Sequence, residues 1–76
     1  MRPEDIRELR EAQPFVPFRI CLTDGKFYDV PHRDFVMIAR SVIDIGVASD
    51  SSSRIYDQIV RVLPLHIVRV ENLQAA

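Results

Sequence analysis

The sequence predicts one mainly β domain with a single N-terminal α-helix, its body a small barrel of about five bent antiparallel strands. Three observations carry this expectation. Pro3 is followed by Glu4 and Asp5 and then by Ile6 and Leu9 at helical spacing. Nine Val and eight Ile outnumber five Leu, and all of these Val and Ile except Ile6 lie beyond position 15, where β-branched side chains favour strands. Asp24-Gly25 separates two alternating segments, the pattern of a hairpin. With 76 residues the chain is expected to be a single domain, a helix over 3–13 and a β body over 17–72.

The helix is justified first. Proline in the first turn lacks an N–H that would have no partner there, and the two acids face the positive end of the helix dipole. Ile6 and Leu9 form a narrow apolar stripe with Ala12 or Arg10 beside it, and Pro14 ends the helix. About ten residues do not hold a helix alone in water, so the stripe must dock on the body.

Phe18, Ile20 and Leu22 alternate with Arg19, Cys21 and Thr23 to make the first strand, and Lys26 to Val30 returns. A three-residue loop, Thr23-Asp24-Gly25 with Gly25 left-handed, pairs Leu22 with Lys26, Ile20 with Tyr28 and Phe18 with Val30. A two-residue loop would set Ile20 against Asp29. Pro31-His32-Arg33-Asp34 bends the chain, because Pro31 donates no ladder bond, and Asp34 is expected to cap that turn.

Phe35 to Ala39 is apolar on both faces and is expected to be buried under the sheet on one side and under the helix or another subunit on the other. After a turn at Arg40-Ser41, Val42 to Val47 turns Ile43, Ile45 and Val47 inward and Asp44 outward. Ala48 to Arg54, with its serine run Ser49 to Ser53 around Asp50, reads as a loop. Ile55 to Leu63 is the next strand, Pro64-Leu65-His66 a one-turn 3₁₀ interruption, and Ile67 to Glu71 the last strand, with Val68 and Val70 inward. Gln74-Ala75-Ala76 is expected to fray.

Composition narrows the function classes. Ten basic and eleven acidic residues give a net charge of -1, spread without a charged tail, so no electrostatic stripe marks a nucleic-acid module. One cysteine, Cys21, cannot form an intramolecular disulfide; it favours a reducing, cytoplasmic setting and reads as a semi-buried inert thiol. The N-terminal stretch does not read as a signal peptide, and no segment approaches the ~20 apolar residues of a membrane span. Cys21, His32 and His66 lack metal-ligand spacing, and the two glycines, Gly25 and Gly46, cannot build a phosphate cradle. No metal, cofactor or catalytic set is expected, and an enzyme would need a site built between subunits.

Beyond this, the chain resembles known proteins. The short helix, the bent strands, the hairpin Leu22-Thr23-Asp24-Gly25-Lys26-Phe27-Tyr28 and the corner Leu65-His66-Ile67-Val68 together resemble a small SH3-like barrel, in particular the Sm-like family, although Leu65 stands where that family carries lysine. Through Gln13-Pro14-Phe15, Pro17-Phe18-Arg19-Ile20, Val30-Pro31-His32 and His66-Ile67 almost the whole chain also resembles small bacterial single-domain proteins of unknown function. The Sm-like resemblance implies subunit rings that present His66 with Arg61 or Arg69 to RNA. The second implies no activity.

The expected function is therefore a self-associating β-barrel interaction or regulatory module, with RNA binding as the runner-up and a subunit-interface enzyme as a third reading. A homo-oligomer is expected through Ile55, Ile59 and Leu63, because the strand over 55–63 has only Asp57 and Arg61 as charges to blunt its edge. The candidate interaction surface comprises His66, Arg61, Arg69, His32 and Arg33, for RNA or for a protein partner. Arg61 near Asp57, Arg33 beside Asp34 and Arg69 near Glu71 are expected to cancel locally, which argues against tight RNA binding.

Overall fold

Residues 1–50 and 54–73 are described by a computed structural model in which helix α1 (Pro3–Glu11) is followed by six strands. These are β1 (Phe18–Leu22), β2 (Phe27–Val30), β3 (Val36–Ile38), β4 (Ile43–Val47), β5 (Gln58–Val62) and β6 (Ile67–Asn72), with 3₁₀ turns at Arg33–Phe35 and Pro64–His66. They form two antiparallel three-stranded sheets, ordered β2-β1-β6 and β3-β4-β5. Among the described residues no pairing joins these sheets into a closed barrel. The mainly β body behind one helix is as expected. Expected features within 51–53 and 74–76 lie outside the described residues.

Helix α1 starts where Pro3 and the acids place it, and Asp5 accepts a 3.1 Å bond from the Arg2 N–H, half of a capping box. It ends at Glu11, two residues short of the expected limit, because Ala12 is already extended (ψ 143°) ahead of the segment that leads into Pro14. Ile6 is fully buried and Leu9 packs on the core. Burying an Ile side chain contributes about 1.5–3 kcal/mol, enough to dock a helix that is marginal alone. Two arginines tie it down further. Arg10 Nε donates to the Val36 carbonyl at 2.8 Å, and Arg33 Nη2 donates to the Ala12 carbonyl at 3.0 Å.

The first hairpin has the expected register, Phe18 opposite Val30 and Ile20 opposite Tyr28. Gly25 sits at φ 90°, its N–H bonded to the Leu22 carbonyl at 3.1 Å, while Leu22 N–H reaches the Lys26 carbonyl at 2.8 Å. Asp24 Oδ1 accepts from Lys26 N–H at 2.9 Å and fixes the loop.

Four expectations are corrected. The expected strand over 35–39 shortens to Val36–Ile38 because Phe35 closes a 3₁₀ turn; within the single chain Val36 is buried whereas Met37 is 68 % exposed, so the helix does not cover that second face. No side-chain cap bond holds the turn at Arg33–Phe35, so Asp34 does not cap it. The fifth strand begins at Gln58, not at Ile55, since Tyr56 folds back over Gly46 and Asp57 N–H bonds the Val47 carbonyl at 3.1 Å. Val68 points outward, 53 % exposed, because β6 slips by one residue against β1 between the pairs Cys21–Arg69 and Leu22–Ile67. That bulge breaks the two-residue alternation and sends Ile67 and Val70 to the core side.

The core lies between the sheets and under α1: Ile6, Phe18, Ile20, Val30, Phe35, Val36, Ile43, Ile45, Val62 and Ile67 form one cluster. Every buried side-chain polar atom among the described residues is satisfied. Cys21 is buried at 8 % exposure and carries a free thiol.

Candidate interaction surface

Ladder register decides which side chains share a face. In the β3-β4-β5 sheet, Val36, Ile45 and Val60 form one row and Ile38, Ile43 and Val62 the next, all turned toward the core. The intervening rows must face outward. They hold Met37 on β3, Asp44 and Gly46 on β4, and Ile59 and Arg61 on β5.

This outer face is apolar around one ion pair. Met37 and Ile59 are 68 % and 65 % exposed. Between them Arg61 Nε donates to Asp44 Oδ1 at 2.8 Å and Nη2 to Oδ2 at 3.1 Å, a bidentate contact between strand neighbours. That hydrogen bond holds the Asp44 carboxyl below the usual aspartate range and raises the Arg61 guanidinium above its own. Gly46 is buried because the Tyr56 ring covers it, and Tyr56 in turn meets Phe35 edge-on at 5.1 Å. A hollow of about 270 Å³ opens beside Gly46, bordered by Met37, Asp44, Tyr56 and Ile59.

The three residues expected at an oligomer interface are exposed: Ile55 by 80 %, Ile59 by 65 % and Leu63 by 43 %. Ile59 lies within β5, an edge strand of its sheet, while Leu63 just follows β5 and Ile55 precedes it in the loop. Leu65, also strongly exposed, continues the apolar surface into the Pro64–His66 turn.

The five residues expected on a polar interaction surface separate into three places. His66 and Arg61 share a groove between the first hairpin and β5, with Lys26, Tyr28, Thr23 and Asp24 on its other wall. His66 closes that groove through its main chain, accepting from Thr23 N–H at 2.9 Å and donating to the Leu63 carbonyl at 2.9 Å. Arg69 lies on the outer face of the other sheet, bonded to Glu71 at 2.8 Å, a contact that raises its pKa. His32 and Arg33 lie at the turn before β3, where Arg33 reaches the Ala12 carbonyl just past the C-terminal end of α1. The His32 ring packs 5.8 Å from Phe35, and the Arg33 guanidinium lies 5.6 Å from the Phe15 ring centroid. Arg33 thereby ties the chain at the end of the helix to the body.

Charge cancellation takes partly different routes from those expected. Arg69 pairs with Glu71 as anticipated, but Arg61 pairs with Asp44 and not with Asp57, whose Oδ2 accepts from Ser49 Oγ at 2.7 Å. Arg33 turns from Asp34 to the Ala12 carbonyl just past α1. On the outer face of the β2-β1-β6 sheet Arg19 binds Asp29 at 2.7 Å, its pKa raised by that bond, and its guanidinium stacks 4.1 Å from the exposed Phe27 ring. Met37, Asp44, Gly46 and Tyr56 were missed by sequence reasoning. Asp44 left a signal as the one charge in the apolar run Val42 to Val47, and Met37 as part of the run Phe35 to Ala39 that is apolar on both faces.

Among the described residues no group of three or more His, Cys, Asp or Glu side chains could hold a metal ion, and no helix is long and apolar enough to cross a membrane. The chain matches no protein-family model, no curated protein and no solved structure.

Proposed function

We propose that this protein is a small self-associating interaction module whose assembly surface is centred on β5. The observation that carries this reading is the exposed apolar surface of an edge strand: Ile59 on β5 and Leu63 just after it, flanked by Ile55 and Leu65. Edge strands of monomeric proteins are usually blunted by lysine, proline or unpaired charge. Here the one charge within β5 is Arg61, and Asp44 already neutralises it. The order of helix, hairpin, bent second limb, 3₁₀ corner and last strand supports reading the two sheets as halves of an SH3-like or Sm-like small barrel, with β2 and β3 as one strand broken at Pro31. Light scattering coupled to size exclusion tests the association. A mass above one chain at micromolar concentration is expected, reverting to one chain in Ile59→Lys; a monomeric wild type would contradict it.

A second reading, RNA binding, is favoured by the groove that brings His66, Arg61 and Lys26 together beside Tyr28. Cations with an aromatic ring suit single-stranded nucleic acid. Asp24 and the Asp44–Arg61 pair reduce its positive potential, so dissociation constants weaker than about 10⁻⁶ M near physiological salt are expected. Nanomolar binding of labelled oligonucleotides that is abolished in His66→Ala would make this the leading function.

A further inference from the structure

We propose that two copies of this chain stack the outer faces of their β3-β4-β5 sheets across a two-fold axis, closing a ring of four alternating charges. In that ring Asp44 and Arg61 alternate with the partner's Arg61 and the partner's Asp44. The inference rests on the self-association reading above and gives it a geometry, symmetric and limited to two copies.

Symmetry follows from register. Asp44 and Arg61 are direct partners in the β4–β5 ladder, side by side on the outer face. A two-fold axis that runs parallel to the strands, between β4 and β5, exchanges these two positions. Each carboxylate then lies over a guanidinium. An axis across the strands would set like charge on like charge, which destabilises an interface.

The existing pair need not break. Arg61 spends Nε and one Nη2 hydrogen on Asp44, leaving further N–H donors on a side chain that is 68 % exposed. Each Asp44 oxygen accepts one of these bonds and keeps acceptor capacity for another. The second copy thus supplies acceptors for spare donors and donors for spare acceptors, in the charge-assisted form that is strongest.

Shape agrees with charge. Gly46 and Ile59 are also direct ladder partners, so the same axis carries the partner's Ile59 over Gly46. The Tyr56 ring fills the space directly over Gly46, so the partner's Ile59 meets the hollow of about 270 Å³ that opens beside that ring, bordered by Met37. Ile59, 65 % exposed, is the knob for that hole, and both copies carry both parts. One acid and one base give the face no net charge, so a strongly acidic or basic partner finds no complement there. A second copy does. Because the contact is isologous, each face is used once and growth stops at the pair.

The experiment is a charge exchange on the full chain, read by light scattering and native mass spectrometry, with circular dichroism to verify folding. Wild type is expected to be a dimer. Arg61→Asp and Asp44→Arg should each weaken dimerisation by more than about 100-fold, since like charges then face each other across the axis. An equimolar mixture of the two should recover dimers containing one copy of each, because two acids on one face meet two bases on the other. If a single variant loses the wild-type dichroism spectrum, Asp44→Asn and Arg61→Gln replace the pair and should each weaken dimerisation by about tenfold or more. Single variants that dimerise like wild type, or a mixture that stays monomeric, would overturn this geometry while leaving edge-strand association in place. A wild-type monomer overturns both.

Discussion

Replacing Gly46 by alanine introduces one methyl group at a point where the chain has no space for it. A Cβ at this position would lie 2.5 Å from Tyr56 Cγ and Cδ1 and 2.9 Å from Cδ2, against an ordinary carbon contact of about 3.5–4.0 Å. The ring must therefore withdraw by about 1 Å or more. Tyr56 is 36 % exposed and can tip toward solvent, but doing so breaks its edge-on contact with Phe35 at 5.1 Å, worth about 0.5–1.5 kcal/mol, and uncovers strand backbone. Overpacking in general costs about 1–3 kcal/mol. Alanine has an opposing advantage of about 0.4–1 kcal/mol, because it restricts the unfolded chain more than glycine does. The net expectation is a loss of about 1–2 kcal/mol, and at about 4–8 °C per kcal/mol the melting temperature should fall visibly. Urea unfolding of Gly46→Ala, Tyr56→Ala and the double variant isolates the cause. With the ring removed, Gly46→Ala should be neutral or slightly stabilising. An equal cost in both backgrounds would refute the steric argument, and no cost in the wild-type background would show that the ring yields freely.

Three other outcomes follow from named contacts. Gly25→Val meets nothing within 4 Å of its Cβ, so its cost comes from φ 90° alone and should exceed the roughly 0.5 kcal/mol of a routine surface change; an unchanged urea midpoint would contradict the left-handed turn. Ile20→Ala empties a fully buried site between β2 and β6 and should cost about 2–5 kcal/mol by denaturant unfolding, with a smaller loss showing that the sheets close over the gap. Because Arg61 depresses the folded pKa of Asp44, that pair's contribution is present above the unfolded aspartate value of about 3.9 and fades as pH falls through the folded one. Arg61→Ala should then flatten the acid limb of the stability curve slightly and leave the region above pH ~5 unchanged in slope. A variant whose limb matches wild type would show that the bond is not formed in solution.

Local chemistry made much of the fold legible. Proline with acids behind it set the start of α1, and the Asp24-Gly25 loop admitted one register that kept Ile20 away from Asp29. What stayed hidden depends on pairs distant in sequence. The partner of Arg61 is 17 residues away on a neighbouring strand, so reasoning from near neighbours selected Asp57 instead. Gly46 offered no sign that Tyr56 would cover it, because the two lie well apart in sequence and meet only in the folded chain. Val68 was misassigned because alternation carries no mark of a bulge. Arg33, read as a polar surface residue, became a strap when its guanidinium found the carbonyl of Ala12, just past the helix and 21 residues earlier. Of the outer face of the β3-β4-β5 sheet, Ile59 and Arg61 were named as candidates from the sequence, whereas Asp44, the partner of Arg61, was not.

The charge pattern of the second sheet bears on whether a chain with open strand edges would polymerise. Across the β2-β1-β6 sheet, Asp29, Arg19 and Glu71 form one outward row, and Arg69 reaches back along β6 to Glu71. Opposite charges sit on adjacent strands and satisfy each other within the sheet, so an incoming strand or apolar face would have to strip water from them and gain little in return. A fibre needs adhesive surface on two sides of each unit. Here one face exposes Met37 and Ile59 around a single ion pair and the other carries several ion pairs around the exposed Phe27, a difference that would oppose growth on both sides of the unit.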